Sequence, residues 1–190
     1  LMSGFLYQDE YVCIFAVAED LIDHIYLNRS PVQSDVYQAY YKGNYSDVTA
    51  ATFACFGYGW HVDVGIDDIQ LVLAGVCVRH PNLNMMIGQW GEFVPFFLER
   101  MDDILFADHL EHPISYYFKN NFYITPSGML TKPQFDLVKA EVGVDRILYS
   151  ADYPYVEPEK LGTFLDELDL TEEEKEKISY KNGAKLLGLE

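Results

Sequence analysis

Basic residues are what this sequence has least of relative to its needs for charge balance. Thirteen lysines and arginines stand against thirty aspartates and glutamates, a net charge of −17. A surface of that sign repels nucleic-acid phosphates and anionic headgroups, so neither nucleic acid nor a membrane is expected as a partner. The acidity by itself also serves solubility. Cysteine is scarce as well: Cys13, Cys55 and Cys77 are odd in number and form no CxxC pair. That excludes a disulfide framework and predicts reduced, buried packing residues of a cytoplasmic protein. No apolar run is long enough to span a bilayer, and no stretch reads as a signal peptide. The glycosylation-type triplets at Asn28 and Asn44 therefore carry no weight. Internal repeats and low-complexity segments are likewise lacking.

What is present describes a folded globular chain. Apolar residues make up 49% of 190 and aromatics 15%, enough for one domain with a real core. The opening Leu1-Met2 has the look of a fragment. Short apolar runs, His24–Asn28, Asn84–Gln89, Asn121–Thr125 and Arg146–Asp152, read as strands buried on both faces, with Leu1–Phe5 a weaker fifth. Helical spacing lies between them. Ile66, Ile69, Leu73 and Val76 share one predicted face, as do Phe93, Phe97, Met101 and Leu105. Thr131 with Gln134, and Thr171 with Glu174, have the form of capping boxes, and Gly188 is a natural stop. This alternation predicts an α/β fold with a parallel sheet. Residues 30–56 break the rhythm. Tyrosine-rich and polar, they are either a lid over a site or a partly helical solvated excursion.

Ligands of parallel α/β folds gather at the carboxyl ends of the strands. Those ends carry Leu27-Asn28-Arg29, Gly88-Gln89-Trp90-Gly91-Glu92, Thr125-Pro126-Ser127-Gly128 and Ser150-Ala151-Asp152-Tyr153-Pro154. An acid closing a run as apolar as ILYSA is costly to bury unless paired or bound to a cation. Asp152 is therefore either a site residue or a structural cap of the following turn.

Together IGQWGEFVPFFLERMDD, NFYITPSGM and RILYSADYP resemble the amidohydrolase-related family of metal-dependent hydrolases and decarboxylases. GWHVDVGIDDIQLVLAGVCVRHPNLNMMIG and the ending KISYKNGAKLLGL share the resemblance, which runs through nearly the whole chain. It implies a (β/α)8 barrel around one divalent ion, zinc or manganese. Such a barrel typically needs about 250 residues, so the chain is expected to be a single domain, 1–190, of four or five βα units without the N-terminal strands. The family's His-x-His or Glu-x-His pair is missing. Asn28 stands where the resemblance implies a metal-binding histidine, and Gln89 where it implies the proton-transferring histidine of Gly-His-x-Gly-Glu. Asp152 keeps the place of the last metal ligand and Glu92 that of a supporting carboxylate, with His61, Trp90 and Tyr153 as substrate-side candidates.

Glutamine keeps a hydrogen-bonding amide but shuttles no proton near neutral pH. Asn28 offers a metal only a neutral oxygen. Among possible stand-ins, His24 lies four residues before Asn28, roughly 13 Å down a strand. His61 is placed in a segment leading into a helix. His80, His109 and His112 read as surface-loop residues. Half a barrel also leaves unpaired strand edges, which predicts a homo-oligomer or a complementing chain. Three readings follow: a degenerate barrel with impaired catalysis, an active metal-dependent hydrolase or carboxy-lyase on a small carboxylate or aromatic substrate, and an assembly module.

Overall fold

The computed structural model of the chain describes residues 12–21, 24–27 and 32–189. Its elements run α1 (Val12–Asp20), β1 (His24–Leu27), α2 (Ser34–Val36), α3 (Asp47–Ala54), α4 (Gly59–Leu73), α5 (Val76–Arg79) and β2 (Asn84–Ile87). They continue with α6 (Val94–Ile104), α7 (Ile114–Asn121), β3 (Phe122–Ile124), α8 (Lys132–Val142), α9 (Pro158–Glu167), α10 (Glu172–Glu176) and α11 (Asn182–Leu186). The strands form one parallel sheet in the order β1-β2-β3, with Leu27 level with Ile87 and Ile87 with Ile124. Parallel neighbours require a crossover each, and helices supply them.

Three strands stand where four were expected among these residues. Residues 146–152 contribute only a parallel bridge at Ile147, opposite Ile124, held by Leu148 N–H donating to the Ile124 carbonyl at 2.9 Å. The polar and proline-rich stretch beyond Tyr149 leaves that segment too short for a ladder. The expected strands around β2 and β3 are also trimmed, because Gln89 already belongs to a turn and Asn121 to α7. Leu1–Phe5 and Asn28 lie outside the described residues.

Apolar side chains bury the sheet in two groups. Phe15, Leu71, Met85, Ile87, Leu98 and Phe118 pack in one, and Trp90, Ile124, Phe135, Ile147, Phe164 and Ile178 in the other. Of the first predicted face, Val76 is buried in the first core group, Ile69 and Leu73 pack against it, and Ile66 is exposed. The inner side of α4 also carries Val64, Gly65, Asp68, Leu71 and Val72. The face predicted for α6 is corrected: its buried residues are Val94, Pro95, Leu98 and Met101, whereas Phe93, Phe97 and Leu105 are exposed.

Other expectations divide. His80 lies in the loop between α5 and β2, as expected, but is buried there with its Nδ1 2.8 Å from Glu19. His109 and His112 lie in the exposed turn between α6 and α7. Of the three cysteines only Cys77 is buried, its thiol pKa pushed up to about 12 by desolvation; Cys13 is exposed. Within 30–56, α2 runs into a π-turn at Tyr37–Tyr41, and α3 follows. Its aromatics form a chain toward the strand ends, Tyr41 on Phe53, Phe53 on Tyr58, Tyr58 on Phe93.

Thr131 makes no side-chain cap on α8. The Thr171 box forms in full: Thr171 Oγ1 accepts from the Glu174 amide, and Glu174 accepts from the Thr171 amide. Thr171→Ala is therefore expected to cost about 1 kcal/mol in urea denaturation. An unchanged midpoint would show that the cap contributes nothing to stability.

Candidate active site at the strand ends

The turn after β2 organises this end of the sheet. Five consecutive residues have positive φ: Gln89 (42°), Trp90 (58°), Gly91 (80°), Glu92 (50°) and Phe93 (67°). Only one is glycine. Left-handed backbone costs a non-glycine residue about 1–2 kcal/mol, so neighbours must hold such a run in place. Trp90 N–H donates to the Thr125 carbonyl at 2.9 Å, and the indole N–H donates to the Met129 carbonyl. The indole packs on Phe135 and Phe164 at 5.8 and 6.3 Å between ring centroids. Trp90 is thus chiefly the anchor of the turn, although it also borders the cavity.

The turn leans on α4. His61, Gly65 and Asp68 recur at four- and three-residue steps and so share one helix side. Gly65 is there because the Glu92 carbonyl oxygen lies against its Cα, where a Cβ would collide with it. One turn earlier, His61 Nδ1 is 2.6 Å from Glu92 Oε2, and His61 Nε2 is 3.1 Å from the Phe56 carbonyl oxygen. One turn later, Asp68 is 0% exposed and neither carboxyl oxygen has a hydrogen-bond partner. Burial first, then the nearby charges of Glu92 and Asp67, hold its carboxyl well above the ordinary aspartate range.

Two other turns close the site. Ser127 (φ 41°) and Gly128 (φ 82°) follow β3, and Asp152 (φ 63°) follows the Ile147 bridge. A Cβ on Gly128 would come within 3.2 Å of Asp152 Cβ, so glycine is what lets these turns approach. Ser127 Oγ meets three hydroxyls: Thr125 Oγ1 at 2.7 Å, Tyr26 Oη at 3.1 Å and Ser150 Oγ at 3.3 Å. The Gln89 amide donates to the Ser127 carbonyl at 3.4 Å.

Together these turns surround a cavity of about 700 Å³, within the usual range for a small-molecule site. Its wall is largely apolar, with Phe56, Phe93, Pro95, Phe96, Met129 and Leu137. His61, Gln89, Glu92, Ser127 and Asp152 supply polar groups. Of the residues singled out from the sequence, Gln89, Glu92, Asp152, His61 and Trp90 therefore come together. His61 is within α4 itself, not in a segment before it. Tyr153 is 71% exposed and is not brought into the cavity. Asn28 lies outside the described residues. Ser127 and Asp68 had no role assigned from the sequence. Strand-end position was a usable signal for Ser127, and the shared helix side with His61 was one for Asp68.

Among the described residues, no three His, Cys, Asp or Glu side chains come together as a metal-ligand set. His61 and Glu92 face each other, Gln89 brings a neutral amide, and Asp152 brings one carboxylate. These residues do not by themselves fit a divalent ion.

Comparison with known proteins gives a consistent outcome. Residues 17–189 match the model of a family described as amidohydrolase. The decarboxylase orsB of Emericella nidulans is 31% identical over 186 residues, covering 94% of this chain and 56% of that protein. The γ-resorcylate decarboxylase of a Rhizobium species is 28% identical over 137 residues, 67% of this chain and 41% of its own length. A crystal structure from Staphylococcus aureus, named as an amidohydrolase, superimposes with a TM-score of 0.96 at 74% identity, covering 98% of this chain and 61% of that one. A dihydroxybenzoic acid decarboxylase from a Polaromonas species, with bound manganese and 2-nitroresorcinol, shares the fold, with a TM-score of 0.83 at 22% identity over 97% of this chain and 55% of its own. The chain thus spans between two fifths and three fifths of the proteins it matches, and its fold is part of a TIM-type barrel.

Proposed function

Because the chain belongs to the amidohydrolase family, we propose that its cavity binds a small aromatic carboxylate or phenol and that its carboxy-lyase chemistry is impaired. Its similarity to decarboxylases supports the class of ligand. The apolar wall suits a ring, and Ser127, Gln89 and His61 suit polar substituents on it. One observation carries the impairment: Gln89, 7% exposed at the cavity, presents an amide donating to the Ser127 carbonyl. No proton can be stored there at neutral pH.

A divalent ion belongs to the same reading. In such a site it would polarise the carboxylate of the ligand. Asp152 and Asn28 are the positions of this chain for it, with the remaining ligands coming from outside the described residues. A second copy or a complementing chain, paired along the sheet edges, is the proposed source. A monodisperse monomer in analytical ultracentrifugation argues against that source.

The test uses 2,6-dihydroxybenzoate. The chain is expected to bind it, seen as saturation transfer to its ring protons, with little release of carbon dioxide. With manganese present, the double variant Asn28→His/Gln89→His is expected to retain more metal and to release carbon dioxide at least about tenfold faster. A chain that binds no such ligand, or a double variant improved in neither respect, sinks the reading.

A further inference from the structure

We propose that His61 and Glu92 form an acid–base pair holding one transferable proton at the cavity, so that the proton transfer left to the impaired site is carried by α4 and the turn beside it and not by residue 89. The proposal rests on the reading that the cavity admits an aromatic ligand.

The placement of the proton follows from the contacts of the imidazole with Phe56 and Glu92. A carbonyl oxygen can only accept, so His61 Nε2, 3.1 Å from the Phe56 carbonyl, carries a hydrogen. The 2.6 Å separation between Nδ1 and Glu92 Oε2 also needs one. That second hydrogen belongs either to Nδ1, beside a carboxylate, or to Glu92, beside a neutral ring. In both forms the pair is neutral and holds one proton beyond what the Phe56 contact fixes. The pair is largely withdrawn from water, with side chains 13% and 2% exposed, yet both residues line the cavity. A short charge-assisted contact in such surroundings retains its proton and keeps its geometry.

The backbone supports the arrangement independently. Glu92 is carried by the left-handed turn, and Gly65 lets that turn settle against α4 one helical turn from His61. Phe93 stands edge-on to the imidazole at 6.4 Å between centroids. Residue 89 lies in the same turn, so both positions address the same cavity.

The chemistry is balanced as follows. In decarboxylation, the bond between the ring carbon and the carboxylate carbon breaks and carbon dioxide leaves. Its bonding electrons stay on the ring carbon, which takes the proton of the pair; water then reloads the pair, and the hydroxide left over combines with the carbon dioxide as bicarbonate. The proton-transfer half can be observed without cleaving a carbon–carbon bond, because an electron-rich ring carbon that forms a C–D bond with a deuteron from the pair breaks its C–H bond and returns that proton to the pair.

Two measurements test this. The first is ¹⁵N NMR of the histidine ring in the chain without ligand. His61 is expected to be protonated at Nε2, alone or at both nitrogens. A ring protonated at Nδ1 with a bare Nε2 overturns the proposal. The second follows hydrogen–deuterium exchange of the ring positions of 1,3-dihydroxybenzene in heavy water, with saturation transfer reporting binding. Exchange is expected above the buffer rate, reduced at least about tenfold by His61→Gln and recovered when Gln89→His is added to that variant. Binding with exchange no faster than buffer, or equal exchange in His61→Gln, overturns the proposal. Absence of binding instead sinks the ligand reading, and the NMR result then decides the placement of the proton.

Discussion

Gly65→Ala is expected to destabilise the chain by about 3 kcal/mol, lowering the melting temperature by roughly 9 °C. The added Cβ would collide with the carbonyl oxygen of Glu92, and Val94 Cγ2 would also be within 3.6 Å. Gly65 lies within α4, so its own backbone conformation would favour alanine there, by up to about 1 kcal/mol. The clash has to exceed that gain, and it does because the atom in the way is backbone. A flexible side chain could rotate aside. The Glu92 carbonyl can withdraw only if the left-handed turn moves, and that turn is tied to β3 through Trp90 and Thr125. Displacing it would also pull Glu92 from His61. The same variant is therefore expected to lose the Nδ1–Glu92 contact in the NMR experiment. Thermal unfolding decides the matter: equal or greater stability would mean that α4 does not press on the turn.

The second large effect has the opposite sign. Asp68→Asn is expected to stabilise the chain by about 2 kcal/mol at neutral pH. Asp68 is fully buried with both carboxyl oxygens unpartnered, so folding takes up a proton that the unfolded chain releases. Its folded pKa lies above the unfolded value near 3.9. The contribution of Asp68 is thus most favourable below that value and is lost as pH rises toward the folded pKa. Asparagine has the same outline and no proton to gain, so it removes this slope. Denaturant midpoints measured from acid to neutral pH should coincide for the two proteins at the acid end and separate as pH rises. Parallel curves, or a less stable variant throughout, would show that Asp68 has a bonding partner in the folded chain.

Asp63 and Asp67 on the same helix are also pushed above the usual aspartate range, in both cases first by burial. Burial therefore favours the protonated form of all three acids, with the charge of Asp63 adding to it at Asp67 and those of Glu92 and Asp67 at Asp68.

The sequence by itself determined the class of fold and most of the cavity's polar residues. Near-continuous apolar runs separated by helical periods required parallel strands, because only strands covered on both faces have that pattern. Position at strand ends then picked out Gln89, Glu92 and Asp152, and the motifs around them indicated the family. The tertiary structure decided the rest. It placed His61 on Glu92, left Tyr153 exposed, reduced the fourth strand to a bridge at Ile147 and turned the buried face of α6. The contact of His61 with Glu92 has a definite physical cause. A left-handed run through Gln89–Phe93 is not favoured by the local propensity of four of its five residues, and it exists because packing from α4, β3 and Trp90 holds it. Side-chain periodicity reports what a helix or strand prefers along its own length. It does not record where a neighbouring backbone comes so close that glycine must replace a larger residue, or where an acid is enclosed without a partner.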